Sequence, residues 1–268
     1  TNDVITQYNT FEANRNNLSH FSVRSLCVDR AGTLWVGTYS GGVNYYNPLN
    51  NRFIFYHPLE NSEQKLYNIF GPMVYSSNSL WIATEGGGLL QFNPVTKEYA
   101  NYLLEHPVGM HNKNIIKSLM VEGENIWCGT NNGGLYCFHI PTKRFSLIHQ
   151  FKEKNLGIYT IYRDAKETIW LGTTSRQGLV RITKDKKVTR KFPIGDTGET
   201  IGFSSIRAFL PLRENVYLIG TRSFGLYEYD TEKRTLIRYS TEEKEPSRKL
   251  ENNYITGILR KKNGEIWI

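Results

Sequence analysis

Apolar positions in this chain cluster into short strand-length runs, separated by Gly, Asn, Asp and Pro. One run sets the pattern: Leu34-Trp35-Val36-Gly37-Thr38. It returns as Leu80-Trp81-Ile82-Ala83-Thr84, Ile126-Trp127-Cys128-Gly129-Thr130 and Ile169-Trp170-Leu171-Gly172-Thr173. A fifth copy, Val216-Tyr217-Leu218-Ile219-Gly220-Thr221, carries one extra residue, and a sixth, Ile266-Trp267-Ile268, breaks off at the last residue. The aromatic positions 35, 81, 127, 170, 217 and 267 lie 43 to 50 residues apart. Self-similarity on that scale marks a repeat architecture.

Around each copy the same four strands are predicted from β-branched and aromatic runs. In the first unit they cover 23–28, 34–38, 43–46 and 53–56. Asp29 to Gly32 supplies the first turn, Ser40-Gly41-Gly42 the second, and Asn47-Pro48 a break. The second unit reads 70–75, 80–84, 88–92 and 99–102, and the third 116–121, 126–130, 134–138 and 145–148. The fourth reads 158–163, 169–173, 178–182 and 188–192, and the fifth 206–210, 216–221, 225–229 and 236–239. A sixth offers 255–259 and 265–268, and 4–8 reads as the last strand of a preceding unit.

Four antiparallel strands at this period describe a β-propeller blade. The signature strand is apolar on both faces, which suits blades covered on both sides. The small residue at Gly37, Ala83, Gly129 and Gly172 would leave room for a side chain of the neighbouring blade. The fold class is therefore all-β. Residues 1–268 are read as a single propeller segment with blades at about 22–56, 69–102, 115–148, 158–192 and 206–239, and partial blades at 1–21 and 255–268. The pattern is under way at residue 1 and unfinished at 268, so a longer protein and a seven-bladed ring are expected.

Composition adds little to that picture. Seventeen Tyr, 13 Phe, 5 Trp and 23 Gly suit strands and tight turns. No apolar run approaches the roughly 18 residues of a membrane helix, and no secretion leader is visible. The net charge of +8 is spread out, with runs at Lys184–Lys187, Arg190-Lys191 and Arg260–Lys262 read as solvated surface. Cys27, Cys128 and Cys137 lack metal-ligand spacing. If Thr130 pairs with Leu135, Cys128 and Cys137 stand opposite each other, as two small hydrophobes or as a cross-strand disulfide. The six histidines show no zinc-protease spacing, and neither a nucleophile elbow nor a phosphate loop occurs. No catalytic residue, metal or cofactor is predicted.

Residues 23–43, read as Val-x-x-Leu-x-x-Asp-x-x-Gly-x-Leu-Trp-Val-Gly-Thr-x-x-Gly-Gly-Val, resemble the two-component regulator propeller repeat. Partial matches recur at 70–89, 116–135, 158–179 and 206–226. The turn Asp is absent from the second, third and fifth units, and Tyr217 replaces Trp in the fifth. The resemblance implies the periplasmic sensor region of a Bacteroides-type hybrid two-component system. Proteins of that kind detect oligosaccharides and switch on glycan-utilisation genes. It further implies a second propeller and a β-sandwich in the same chain, a homodimer, and histidine kinase activity in a separate domain. This segment itself would neither catalyse nor touch nucleic acid. The alternatives are a propeller carbohydrate-active enzyme, lyase or hydrolase, and a protein-interaction scaffold.

Strand direction gives the candidate site. The loop after the second strand shares a rim with the connection between blades. That rim carries Tyr39, Glu85, Asn131, Asn132, Arg176, Arg222 and Phe224, with His106 and His111 nearby. These supply ring platforms and paired hydrogen-bonding groups, as carbohydrate recognition requires. Sliding the blades into register also aligns Arg24, Gly71, Lys117, Tyr159, Arg207 and Thr256. Three of those are basic, so an electropositive channel mouth and an acidic oligosaccharide or other anion are expected. The expectation fails where these cations point into carboxylates.

Overall fold

A computed structural model of the chain describes residues 17–47, 52–56, 70–104, 114–148, 151, 156–174, 178–185, 187–189 and 205–268. The predicted strand at 4–8, the end of the one at 188–192, and Arg176, His106 and His111 lie outside them. Five four-stranded antiparallel sheets build the propeller blades. The first contains β1 Val23–Val28, β2 Leu34–Thr38, β3 Val43–Asn47 and β4 Arg52–Tyr56. The second contains β5 Phe70–Ser76, β6 Ser79–Thr84, β7 Leu89–Phe92 and β8 Tyr99–Tyr102. In the third, β9 Ile116–Glu122, β10 Asn125–Thr130, β11 Leu135–His139 and β12 Arg144–Leu147 follow. The fourth has β13 Ile158–Arg163, β14 Ile169–Thr173, β15 Leu179–Ile182 and β16 Val188–Thr189. The fifth has β17 Ile206–Arg213, β18 Val216–Thr221, β19 Leu226–Asp230 and β20 Thr235–Tyr239. Among the described residues a 3-10 turn spans Pro246–Arg248, Phe151 is also in 3-10 conformation, and no helix is long and apolar enough to cross a membrane.

The sixth unit departs from expectation. Its first strand is not 255–259 but β21 Leu259–Arg260, paired with β22 Ile266–Trp267. Their ladder consists of two pairs, Leu259 with Trp267 and Arg260 with Ile266.

The chain divides into two compact units. One comprises Thr1–Cys128 with Cys137–Ser146, the other Gly129–Tyr136 with Leu147–Ile268. In the first, Trp35, Val43, Phe70, Met73, Leu80, Ile82, Leu90 and Phe92 form a buried cluster. In the second, Trp170, Leu179, Ile206, Tyr217, Ile219, Tyr227 and Tyr229 form its counterpart. The small residue of the signature strand does what its size suggested. A Cβ on Gly172 would stand 2.7 Å from Ile206 Cγ2, and one on Gly220 2.6 Å from Ile255 Cγ2. Each following blade thus opens with a hydrophobe seated on the preceding blade's second strand.

The ladders of the first, second and fourth blades pair this small residue with the one after the loop glycine: Gly37 with Val43, Ala83 with Leu89, Gly172 with Leu179. The Thr130 amide bonds the Gly134 carbonyl at 3.1 Å, as Thr38 and Thr84 bond theirs. The third blade therefore shares the register, one step from the Thr130–Leu135 pairing expected. Trp127, not Cys128, faces Cys137, and all three cysteines are free thiols. Burial pushes the Cys128 thiol well up, which keeps it protonated and inert.

Candidate functional site

Two devices shape the rim. The first is the signature Thr, buried in all five blades. Its hydroxyl donates to the loop glycine's carbonyl: Thr38 to Gly42 (2.9 Å), Thr84 to Gly88 (2.9 Å), Thr130 to Gly134 (2.9 Å), Thr173 to Gly178 (2.6 Å) and Thr221 to Gly225 (2.8 Å). That hydroxyl also accepts from the amides of Gly41, Gly133 and Phe224. The loop holding Tyr39, Asn131, Asn132, Arg222 and Phe224 is therefore fixed from below. Gly225 shows why glycine ends it: φ is +83°, and a Cβ would meet the Tyr239 carbonyl oxygen at 2.1 Å.

The second device is a β-bulge at the start of the first strand. Val23 pairs with Thr38 and Ser25 with Gly37, leaving Arg24 unpaired. Tyr159 is skipped between Ile158 and Thr160, and Arg207 between Ile206 and Ala208. In the second blade Gly71 and Pro72 fall in the irregular step. A bulge re-aims the extra residue and recurs beside functional sites. The aligned position read from sequence is this bulge position.

In the first unit, Arg24 lies over the Tyr39 ring, 4.7 Å from its centroid. His20 stacks on Phe21 at 4.4 Å between centroids and approaches Tyr39 at 6.2 Å. Phe21 is 78% exposed and Tyr39 40%, so the rings form an open platform with a cation beside it. Lys117 instead pairs with Glu85 of the preceding blade, the outcome under which the electropositive reading fails at that position. Gly71 contributes no side chain.

In the second unit, Arg207 lies over the Tyr159 ring, with Cζ 3.8 Å from its centroid. The Tyr159 hydroxyl donates to Asn131 Oδ1. Asn132 is exposed beside it. Arg207 Nε is buried, and among the described residues it finds no hydrogen-bond partner. Asn131, Tyr159 and Arg207 are thereby brought together. Arg222, Phe224 and Thr256 are exposed elsewhere along the rim; Phe224 has Arg238 5.8 Å from its centroid. Sequence reasoning missed His20 and Phe21, which precede the first strand in an irregular stretch with no periodicity to flag them.

At the opposite end of the signature strand the polar groups close on themselves. Asp29 Oδ1 accepts from the amides of Ala31 (2.9 Å) and Thr33 (3.0 Å), and Oδ2 from Trp35 Nε1 (3.0 Å). Asp164 repeats this with Lys166, Thr168 and Trp170. Where the Asp is missing, Trp81 donates to the Ser76 carbonyl and Trp127 to Glu122. Tyr217 donates back to Asp164 at 3.0 Å, so the Tyr-for-Trp exchange keeps the bond by borrowing the preceding blade's carboxylate. From the basic runs, Lys184 pairs with Glu167 and Lys261 with Glu265. No group of three or more potential metal ligands occurs among the described residues.

Bladed sheets with Thr-clamped loops define the chain as a β-propeller. Residues 19–40 match the family described as two component regulator propeller, which bears out the resemblance on the copy that carries it best. The fold is similar to the extracellular domain of a hybrid two-component system from Bacteroides thetaiotaomicron, at 21% identity and TM-score 0.72, over 98% of this chain and 33% of that one. A second such domain from the same organism gives 20% identity and TM-score 0.59, over 93% and 39%. Virginiamycin B lyase from Staphylococcus aureus gives 13% identity and TM-score 0.59, over 79% and 67%. At these identities the likeness concerns the fold, and the chain spans little more than a third of the two extracellular domains. No curated protein sequence matches it.

Proposed function

We propose that this chain is a ligand-sensing propeller segment in the extracellular, periplasmic region of a hybrid two-component sensor histidine kinase. Its loop-side rim takes an oligosaccharide. One observation carries the reading: the open platform of Phe21, His20 and Tyr39 with Arg24 alongside, raised on a Thr-clamped loop and a bulge. Flat rings offer an apolar face to the C–H side of a sugar, while neighbouring polar groups take its hydroxyls. Support comes also from the repeat match and from fold similarity to extracellular domains of hybrid two-component systems. Glu85, the one carboxylate among the predicted rim residues, is committed to Lys117, and no rim observation favours the enzyme alternative.

In this reading a second propeller, a β-sandwich and a dimer partner relay occupancy to a kinase domain elsewhere in the protein, and another domain regulates glycan-utilisation genes. Binding shifts a pre-existing balance of arrangements, by no more than its differential affinity for them. Calorimetric titration against neutral and acidic oligosaccharides, with product analysis afterwards, tests the proposal. Stoichiometric binding without turnover is expected. Turnover would replace the sensor with an enzyme, and silence across the panel would favour a scaffold.

A further inference from the structure

We infer that Arg207 is the specificity-determining residue of an oxyanion subsite on the rim of the second unit, taking a carboxylate or sulfate group of the ligand. Other arginines set the contrast. Arg163 pairs with Glu167, Arg213 with Glu228, Arg238 with Glu242 and Arg248 with Glu245. Among the described residues Arg207 has no carboxylate. It rests on the Tyr159 ring, with Nε buried and unsatisfied.

Arg207 is half-buried, and a buried Nε–H without an acceptor is costly, while the ring beneath it offers the charge only part of what a carboxylate would. The geometry around it is fixed rather than adaptable. The bulge removes Arg207 from the ladder, while Ile206 and Ala208 on either side are buried. Tyr159, the bulge residue of the preceding blade, is itself anchored through its hydroxyl to Asn131. A guanidinium is a planar fork of N–H donors, and one held against a ring keeps a fixed position from which two of them can receive two oxygens of an anion at once. Asn131 and exposed Asn132 add amides for neighbouring hydroxyls. At the equivalent position of the third blade, Lys117 already holds Glu85. Lys117 thus serves the scaffold and Arg207 recognition.

The inference rests on the sensor reading for the ligand being a saccharide; the anion subsite rests on the geometry. Arginine Nε–H spectra of the 15N-labelled chain test it, with the Arg207 signal identified by its loss in Arg207→Lys. Sodium glucuronate, glucose 6-sulfate and glucose are titrated at constant ionic strength. The expected result is a saturable shift of the Arg207 signal with glucuronate, with glucose 6-sulfate or with both, and none with glucose. Whichever anion acts distinguishes carboxylate from sulfate. In calorimetry Arg207→Lys should weaken the active anion by about ten- to a hundredfold, the loss of a charge-assisted pair of bonds. Tyr159→Phe, which keeps the ring and frees it from Asn131, should weaken it by a smaller factor. No shift, or the same shift with glucose, overturns the inference. If neutral oligosaccharides bind the chain without preference for acidic ones, the subsite falls and the sensor stands. If the anions shift Arg207 but no oligosaccharide binds, the sensor falls and the subsite stands.

Discussion

The two ends of the signature strand are built from the same repeat to opposite effect. At the turn end, Asp29 and Asp164 each gather two amides and an indole, and Asp164 adds the Tyr217 phenol. At the loop end, exposed Phe21 and Tyr39, the stacked Arg207 and the amides of Asn131 and Asn132 face outward. One end satisfies its polar groups internally; the other leaves rings and a cation for something else. The bonds that vary least between blades, Thr to Gly and Trp to carboxylate or carbonyl, hold the fold. The positions that vary most, the bulge and the residue after Thr, are free to carry recognition.

Substitutions can break this division. Asp164→Ala should cost the most, about 3 kcal/mol in urea unfolding, because two turn amides, an indole and a phenol lose one charged acceptor. Asp29→Ala should cost less, since Asp29 serves no second blade. A comparable or larger loss at Asp29 would contradict the shared-carboxylate account. Gly172→Ala follows at about 2 kcal/mol from overpacking, because the added Cβ would stand 2.4 Å from Thr160 Cγ2 and 2.7 Å from Ile206 Cγ2.

Tyr217→Phe should cost about 1 kcal/mol near neutral pH, one net hydrogen bond, and it carries a pH signature. Burial, then the Asp164 charge, holds the Tyr217 phenol well above its usual range, so the folded state prefers the neutral form. That preference contributes fully below the unfolded pKa of about 10 and is lost as pH rises beyond it. Stability measured from pH 8 to 11 should therefore fall less steeply in Tyr217→Phe than in the parent chain; parallel curves would remove Tyr217 from the account.

The smallest effects on stability belong to the rim. Phe21→Ala and Tyr39→Ala should move it by no more than about 0.5 kcal/mol, as exposed positions usually do, while reducing oligosaccharide affinity in calorimetry. Rim variants that unfold the protein, with binding unchanged in what remains folded, would erase the distinction between the two ends.

Much of this was legible in the residues. Six in-register copies of one strand locate the blades, because turn glycines and β-branched runs act locally and leave a local trace. What depends on neighbours was less visible. Tyr217 looks like a scaffold substitution until Asp164 of the preceding blade is seen to receive its hydroxyl. A Thr130–Leu135 pairing would put Cys128 opposite Cys137, but the register follows the bond from the Thr130 amide to the Gly134 carbonyl and lies one residue away. At the site, the aligned basic position was found, but the fate of each cation was not. That fate depends on what the adjoining chain offers: Glu85 for Lys117, a tyrosine ring for Arg207. His20 and Phe21 lay outside any period and could only be seen once stacked.

Hydrogen exchange of the intact chain, with and without the oligosaccharide that calorimetry selects, tests the central claim most directly. The account predicts slowed exchange at 20–24, 39–41, 131–133, 157–160, 205–208 or 222–225, and unchanged exchange at the turns around Asp29, Ser77, Gly123 and Asp164. Protection confined to those turns, with the loop end unaffected, would contradict it.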